Sequence, residues 1–295
     1  MSNVSRHVNL PLATQRLLLP FVGVLLRCLD ENRAPLPGAF ASGFIRRESG
    51  GLSLYTCWHV VTGFDPNDVR VGLDLPKRRY LEVALQATER RQPGVEVVGG
   101  LQSCVLPLYS SGVPTRPLWF QDDAHVPHVD LNAVGLYLPF WHDTVKLALP
   151  PEIAVSDMQV VDKGRFFKGN MSLLAPGDKC LIVGYPYGFS AFGPTQPTPV
   201  VLTRFAASDR VAGRRLQFLL ESVGAPGMSG GPVYVERDAE LLLVGMYTGS
   251  MYPDYAQRQN EKVTALGTVS NLTLMLWAHL PFVASPSSAQ SAGDG

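Results

Sequence analysis

Few stretches of this 295-residue chain hold an apolar pattern long enough for a helix; its hydrophobic residues come instead in short runs cut by Gly and Pro. Strands are expected at 21–29, 43–47, 52–56, 69–73, 81–86, 132–137, 179–184, 200–207, 215–220, 231–235, 241–247 and 264–270. Strands at this spacing, with turn residues between them, build sandwiches or barrels rather than βαβ sheets, so the fold is expected to be all-β. With 46% hydrophobic residues the chain has the material for a large core. One short C-terminal helix is expected at 271–279, where Asn271 can cap and Leu272, Met275 and Leu276 share a face. Residues 1–15 read as an extension, 109–128 as a long loop, and the Ser/Ala/Gly-rich 284–295 as a disordered tail.

Charge removes several classes of partner. Lys+Arg and Asp+Glu both number 25, a balance that favours neither nucleic acid nor an anionic membrane surface. The most apolar run, Leu17–Leu26, is about half a membrane span and contains Pro20. Arg27 and Asp30 follow it and no small-x-small site comes directly after it, so it reads as the first core strand and not as a signal peptide. A cytoplasmic location is the expectation. Cys28, Cys57, Cys104 and Cys180 form no C-x-x-C pair; a Cys28–Cys57 bridge is conceivable, but buried free thiols are the favoured reading.

The most informative stretch is Gly227-Met228-Ser229-Gly230-Gly231-Pro232-Val233. Acyl transfer by serine needs an exposed hydroxyl and backbone N–H groups aimed where the oxyanion develops. A tight turn can set the Gly227 and Ser229 N–H groups on one side, and glycine permits that close approach. A bare G-x-S is common in hairpins, but this longer string runs directly into an apolar strand. It resembles the G-[DN]-S-G-G-P motif of the trypsin/chymotrypsin superfamily. Ala41-Ser42-Gly43-Phe44 and Thr56-Cys57-Trp58-His59-Val60 resemble the same family's segments around its catalytic histidine. Pro176–Pro186 is similar to the strand that opens the second barrel of HtrA-like, bacterial-type members. Met228 departs from the pattern, because digestive relatives carry there an acid that pairs with a newly cut amino terminus.

The resemblance implies a chymotrypsin-like double β-barrel over 16–283, with one barrel at about 16–145 and the other at about 146–283. It implies Ser229 as nucleophile, His59 as general base, and Gly227 with Ser229 as the oxyanion hole. For the orienting carboxylate the expectation is Asp130, which opens an apolar strand between His59 and Ser229; Asp122 and Asp123 are fallbacks. By the same resemblance, Val223 lies at the base of the primary pocket and Thr248, Gly249 and Ser250 along its wall. None of these is acidic, so a small or medium apolar side chain is expected there unless Glu221 or Asp254 reaches in. His7, His125, His128, His142 and His279 have no matching context. His125, His128 and Asp130 lack an evident fourth ligand, so no metal site is expected.

The function expected on these grounds is a serine endopeptidase acting on a protein or peptide without metal or organic cofactor. Either narrow specificity or a regulatory protein partner ordering 109–128 and 185–199 restrains it. A catalytically silent binding or scaffold protein with the same fold stays open as the alternative. A lipase-type elbow shares the G-x-S-x-G spacing, but Pro232 opposes the helix it needs and only His279 follows the serine.

Overall fold

The computed structural model describes residues 11–48, 50–64, 77–92, 95–111, 116–120, 143–161, 175–189, 198–208, 217–222, 224–237, 239–251 and 266–271. Expected strands 69–73 and 132–137, the helix beyond Asn271, the tail and most of the 109–128 loop lie outside this set, as do Asp122, Asp123, Asp130, Val223, Asp254 and the five other histidines.

The described elements are mostly strands. The first strands are β1 (Gly23–Leu29), β2 (Pro35–Glu48) and β3 (Gly51–Thr56), followed by β4 (Tyr80–Gln92) and β5 (Val95–Pro107). Two short strands come next, β6 (Val145–Ala148) and β7 (Val160–Val161). These form one sheet in the order β5-β4-β1-β2-β3-β6, with β7 parallel to β2 at Ile45 and Arg46, just beyond Phe44, which pairs with Gly23 at the start of β1. A second set is β8 (Lys179–Gly184), β9 (Val200–Ser208), β10 (Gln217–Leu220), β11 (Pro232–Arg237), β12 (Glu240–Met251) and β13 (Leu266–Asn271). It closes into a barrel in the order β10-β13-β12-β11-β8-β9. Adding seven to each strand number of the first path gives the order of the second, so one connection pattern occurs twice.

The barrel is closed by β12 pairing with β13. In the first sheet residues 116–120 span the corresponding gap between β5 and β6. The Leu118 N–H donates to the Leu108 carbonyl at 2.9 Å, and Phe120 exchanges backbone hydrogen bonds with Lys146 of β6 at 2.8 and 3.0 Å. Closing an edge in this way removes unpaired backbone groups from solvent. Because β6 and β7 belong to the first sheet, the changeover between halves falls between Val161 and Lys179, later than the expected 145/146. Four-residue β6 and two-residue β7 are too short to show a period of two in the sequence.

A second departure concerns Leu17–Leu26. Its first half is helical, in α1 (Leu12–Val22), and β1 starts only at Gly23. A short apolar run cannot be assigned to helix or strand by hydrophobicity alone. What decides it is the buried set Gln15, Leu19 and Val22, which sits at helical spacing while Leu17 faces solvent. Leu19 and Val22 join a core that draws Val24, Leu26, Phe44 and Leu54 from the first sheet and Leu181, Val183, Leu241 and Met246 from the barrel. The Gln15 side-chain carbonyl accepts the Leu241 N–H of β12 at 2.9 Å, and Arg16 pairs with Glu236 of β11. The chain's first described helix is therefore tied to the second barrel. Among the described residues no helix is long and apolar enough to cross a membrane.

Candidate functional site

His59 is carried by a short helix. β3 ends at Thr56, Cys57 is extended (φ −78°, ψ 150°), and α2 (Trp58–Thr62) begins directly after it. His59 thus lies in a helical turn directly after β3. Buried Trp58, Val60 and Val61 anchor the turn in the core. It stops at Gly63 in the left-handed region (φ 85°), whose N–H returns to the His59 carbonyl at 2.9 Å. The Arg78 guanidinium also donates to that carbonyl at 2.9 Å and to that of Val60, placing a cation at the helix C-terminus. These contacts hold the His59 backbone and aim its ring.

The carboxylate on His59 is Asp143. One oxygen accepts the His59 backbone N–H at 2.9 Å and the other lies 2.6 Å from Nδ1. The Asp143 side chain is 3% exposed and that of His59 25%, so the acid is sealed off while the ring reaches the surface. Asp143 thus stands on Nδ1, where the sequence reading expected Asp130, a residue outside the described set. Asp143 lies two residues ahead of β6, which pairs with the β3 residues leading to His59, and so short a strand gives no period in the sequence to mark the acid.

The buried Cys57 thiol stands close to this pair, and its Sγ donates to the Tyr247 carbonyl at 3.4 Å. Burial first, then the Asp143 charge, pushes the Cys57 thiol well above its ordinary value of 9.0. It stays protonated and does not compete as a nucleophile. Cys57, His59 and Asp143 offer three ligand atoms within 4.8 Å of one another. Two ligands on a tetrahedral zinc would be about 3.4 Å apart. The 2.6 Å between Nδ1 and Asp143 is a hydrogen-bond distance, which favours a base and its orienter over a metal centre. All four cysteines are buried free thiols; Cys28 donates to the Val60 carbonyl and Cys57 to that of Tyr247, away from each other.

Ser229 comes from the other half of the molecule. Gly227 and Gly230 have φ of 91° and 89°, conformations open to glycine. A Cβ on Gly230 would overlap the Ser42 carbonyl oxygen and Thr56 Oγ1; one on Gly227 would overlap the Tyr185 carbonyl. The nucleophile turn is thereby pressed against the end of β3, three residues before His59. The Ser42 N–H of β2 donates to the Ser229 carbonyl at 2.8 Å, and the Gly230 N–H to Tyr247 of β12 at 2.8 Å. Within the turn the Met228 N–H is taken by the Ala225 carbonyl at 3.0 Å. Among the described residues neither the Gly227 nor the Ser229 N–H has an acceptor. Both N–H groups are thus left for an acceptor outside the turn.

Of the expected pocket, Val223 lies outside the described residues and only the backbone of Ser250 lies within them. Thr248 is buried, and at Gly249 a Cβ would meet nothing within 4 Å, so β12 is open on that side. Beneath Gly224 lies the Tyr247 ring, whose hydroxyl accepts the Gly224 N–H at 2.6 Å. The Glu221 carboxylate accepts the Phe205 N–H of β9, which holds it on that strand.

No family model matches the chain, and no curated protein matches its sequence.

Proposed function

We propose that the chain is a serine endopeptidase of the chymotrypsin-like double-barrel kind, acting through an acyl-enzyme. The observations that carry this reading are the His59–Asp143 pair at 2.6 Å and, on the Ser229 turn packed against Thr56 three residues before His59, the unengaged Gly227 and Ser229 N–H groups. The repeated strand order supports the double-barrel part of it.

In this mechanism Ser229 Oγ attacks the scissile carbonyl while His59 Nε2 takes its proton. Asp143 holds Nδ1–H, so that the free lone pair is on Nε2, and stabilises the imidazolium that forms. The carbonyl oxygen becomes an oxyanion and accepts from the Gly227 and Ser229 N–H groups. Collapse breaks the C–N bond, and His59 gives its proton to the leaving amine. Water, deprotonated by the same imidazole, then attacks the ester, and the acid product leaves as Ser229 regains its proton. No metal or organic cofactor takes part in these steps. The substrate is a protein or peptide, with a small or medium apolar residue at the cleaved bond.

Fluorophosphonate labelling read by intact mass tests the reading. A single adduct on the wild type, absent from Ser229→Ala and His59→Ala, is the expected result. A wild type that stays unlabelled while folded would overturn the peptidase reading and favour a silent scaffold.

A further inference from the structure

We propose that Ser42 is a positioning residue for the oxyanion turn, acting through its hydroxyl on the Gly227 peptide; the proposal rests on the peptidase reading for its consequence. Three peptide planes run through Pro226, Gly227, Met228 and Ser229. A trans peptide points its N–H opposite to its C=O, so whatever grips the carbonyl also aims the amide. The Pro226 carbonyl accepts the Tyr187 N–H at 2.6 Å, which turns the Gly227 N–H the other way. The Met228 carbonyl accepts the Gly231 N–H at 2.9 Å, which does the same for the Ser229 N–H. Between them the Gly227 carbonyl accepts from Ser42 Oγ at 2.7 Å. Of these three carbonyl grips it alone is made by a side chain.

Ser42 is fully buried, and its hydroxyl is fully used: it donates to Gly227 and accepts the Tyr185 N–H at 2.9 Å. Its direction is therefore set by two partners on the second barrel. Its backbone is held as well, with its N–H on the Ser229 carbonyl and its carbonyl receiving Thr56 Oγ1 at 2.9 Å. Gly227 sits at φ 91° and has no Cβ to resist rotation of its flanking peptides. Without the Ser42 hydroxyl the central peptide keeps only the Met228 N–H bond to Ala225 within its own loop and loses its tie to the first sheet, and a rotation there swings both neighbouring N–H groups off the oxyanion position. Ser42 does not touch the reacting atoms; it fixes the backbone that does.

The test is Ser42→Ala, with Ser42→Cys as a size-matched second variant. Ser53→Ala is the control, because Ser53 is a buried hydroxyl on neighbouring β3 that donates to Glu48, away from the turn. Two readouts are taken on the full chain: the second-order fluorophosphonate labelling rate, and the amide NMR signals of Gly227 and Ser229. The expected result is a labelling rate lowered about tenfold or more in Ser42→Ala, partial recovery in Ser42→Cys, and no change in Ser53→Ala. The Gly227 and Ser229 amide signals shift or broaden in Ser42→Ala alone. Unchanged amide signals in Ser42→Ala would overturn the positioning role whether or not the protein labels. An unlabelled wild type with shifted amides in Ser42→Ala would overturn the peptidase reading and leave the positioning of the turn supported.

Discussion

In the first sheet the groups that enter the proposed function are side chains: an imidazole on α2 and a buried carboxylate just ahead of β6, joined at 2.6 Å. In the barrel they are a hydroxyl and backbone N–H groups on a turn whose glycines sit at φ near 90°. The two halves repeat one strand order and yet meet different physical demands. A side-chain pair tolerates backbone substitution nearby but fails when one atom changes type. A backbone turn is indifferent to side-chain chemistry but fails when a Cβ is added.

Asp143→Asn breaks the first half most sharply. Its amide can donate to Nδ1 and so hold the wrong tautomer, and fluorophosphonate labelling is expected to slow about 10³- to 10⁴-fold without loss of fold. Asp130→Asn is expected to label at nearly the wild-type rate; equal losses in the two variants would sink the assignment of Asp143. Gly230→Ala is the matching blow to the second half. Its Cβ would overlap the Ser42 carbonyl from a strained φ, and urea unfolding is expected to show a loss of about 3 kcal/mol or more together with lost labelling. An Ala variant as stable as the parent would show that the turn does not bear on β2 as described.

Gln15→Ala sharpens the comparison at the point where the first helix grips the barrel. It leaves the Leu241 N–H without its acceptor, an expected cost of about 1–3 kcal/mol in the denaturation midpoint, with labelling of the folded protein preserved. The smallest expected effect is a pH dependence confined to the first sheet. Burial pushes Glu48 up, but hydrogen bonds from Tyr55, Lys146 and Ser53 and the Lys146 charge outweigh it and hold the carboxyl below its ordinary 4.5. The unfolded chain then binds that proton more tightly. Stability from Glu48 is therefore complete above the ordinary value and is lost as pH falls through the lower folded one. Glu48→Gln should flatten the acid limb of stability against pH, and an unaltered limb would remove Glu48 from the account.

What was legible in the sequence follows the same division. Glycines leave a mark where a turn has no room for a Cβ, so the string from Gly227 to Pro232 announced the tight turn around Ser229. His59 was legible through the strand ahead of it. Asp143 was not, because its strand has only four residues and follows a stretch of no clear period. Helix α1 was hidden because its buried face includes the polar Gln15, which reads as a break in an apolar stripe until Leu241 is seen to need an acceptor. All-β composition could be read from punctuation, while the doubled strand order could not, since pairing partners are far apart in the chain.

The Gln15–Leu241 bond also has a meaning in time. The two residues are separated by 226 positions, so a ribosome adding about 5–20 residues per second makes the acceptor roughly 10–45 s before its donor. Through that interval α1 is an 11-residue segment with no barrel to lie on, too short to persist as a helix by itself in water. The nucleophile turn is synthesised just ahead of the same β11 and β12 strands. The growing chain thus gains the partner of its first helix and the Ser229 turn within one short stretch of synthesis.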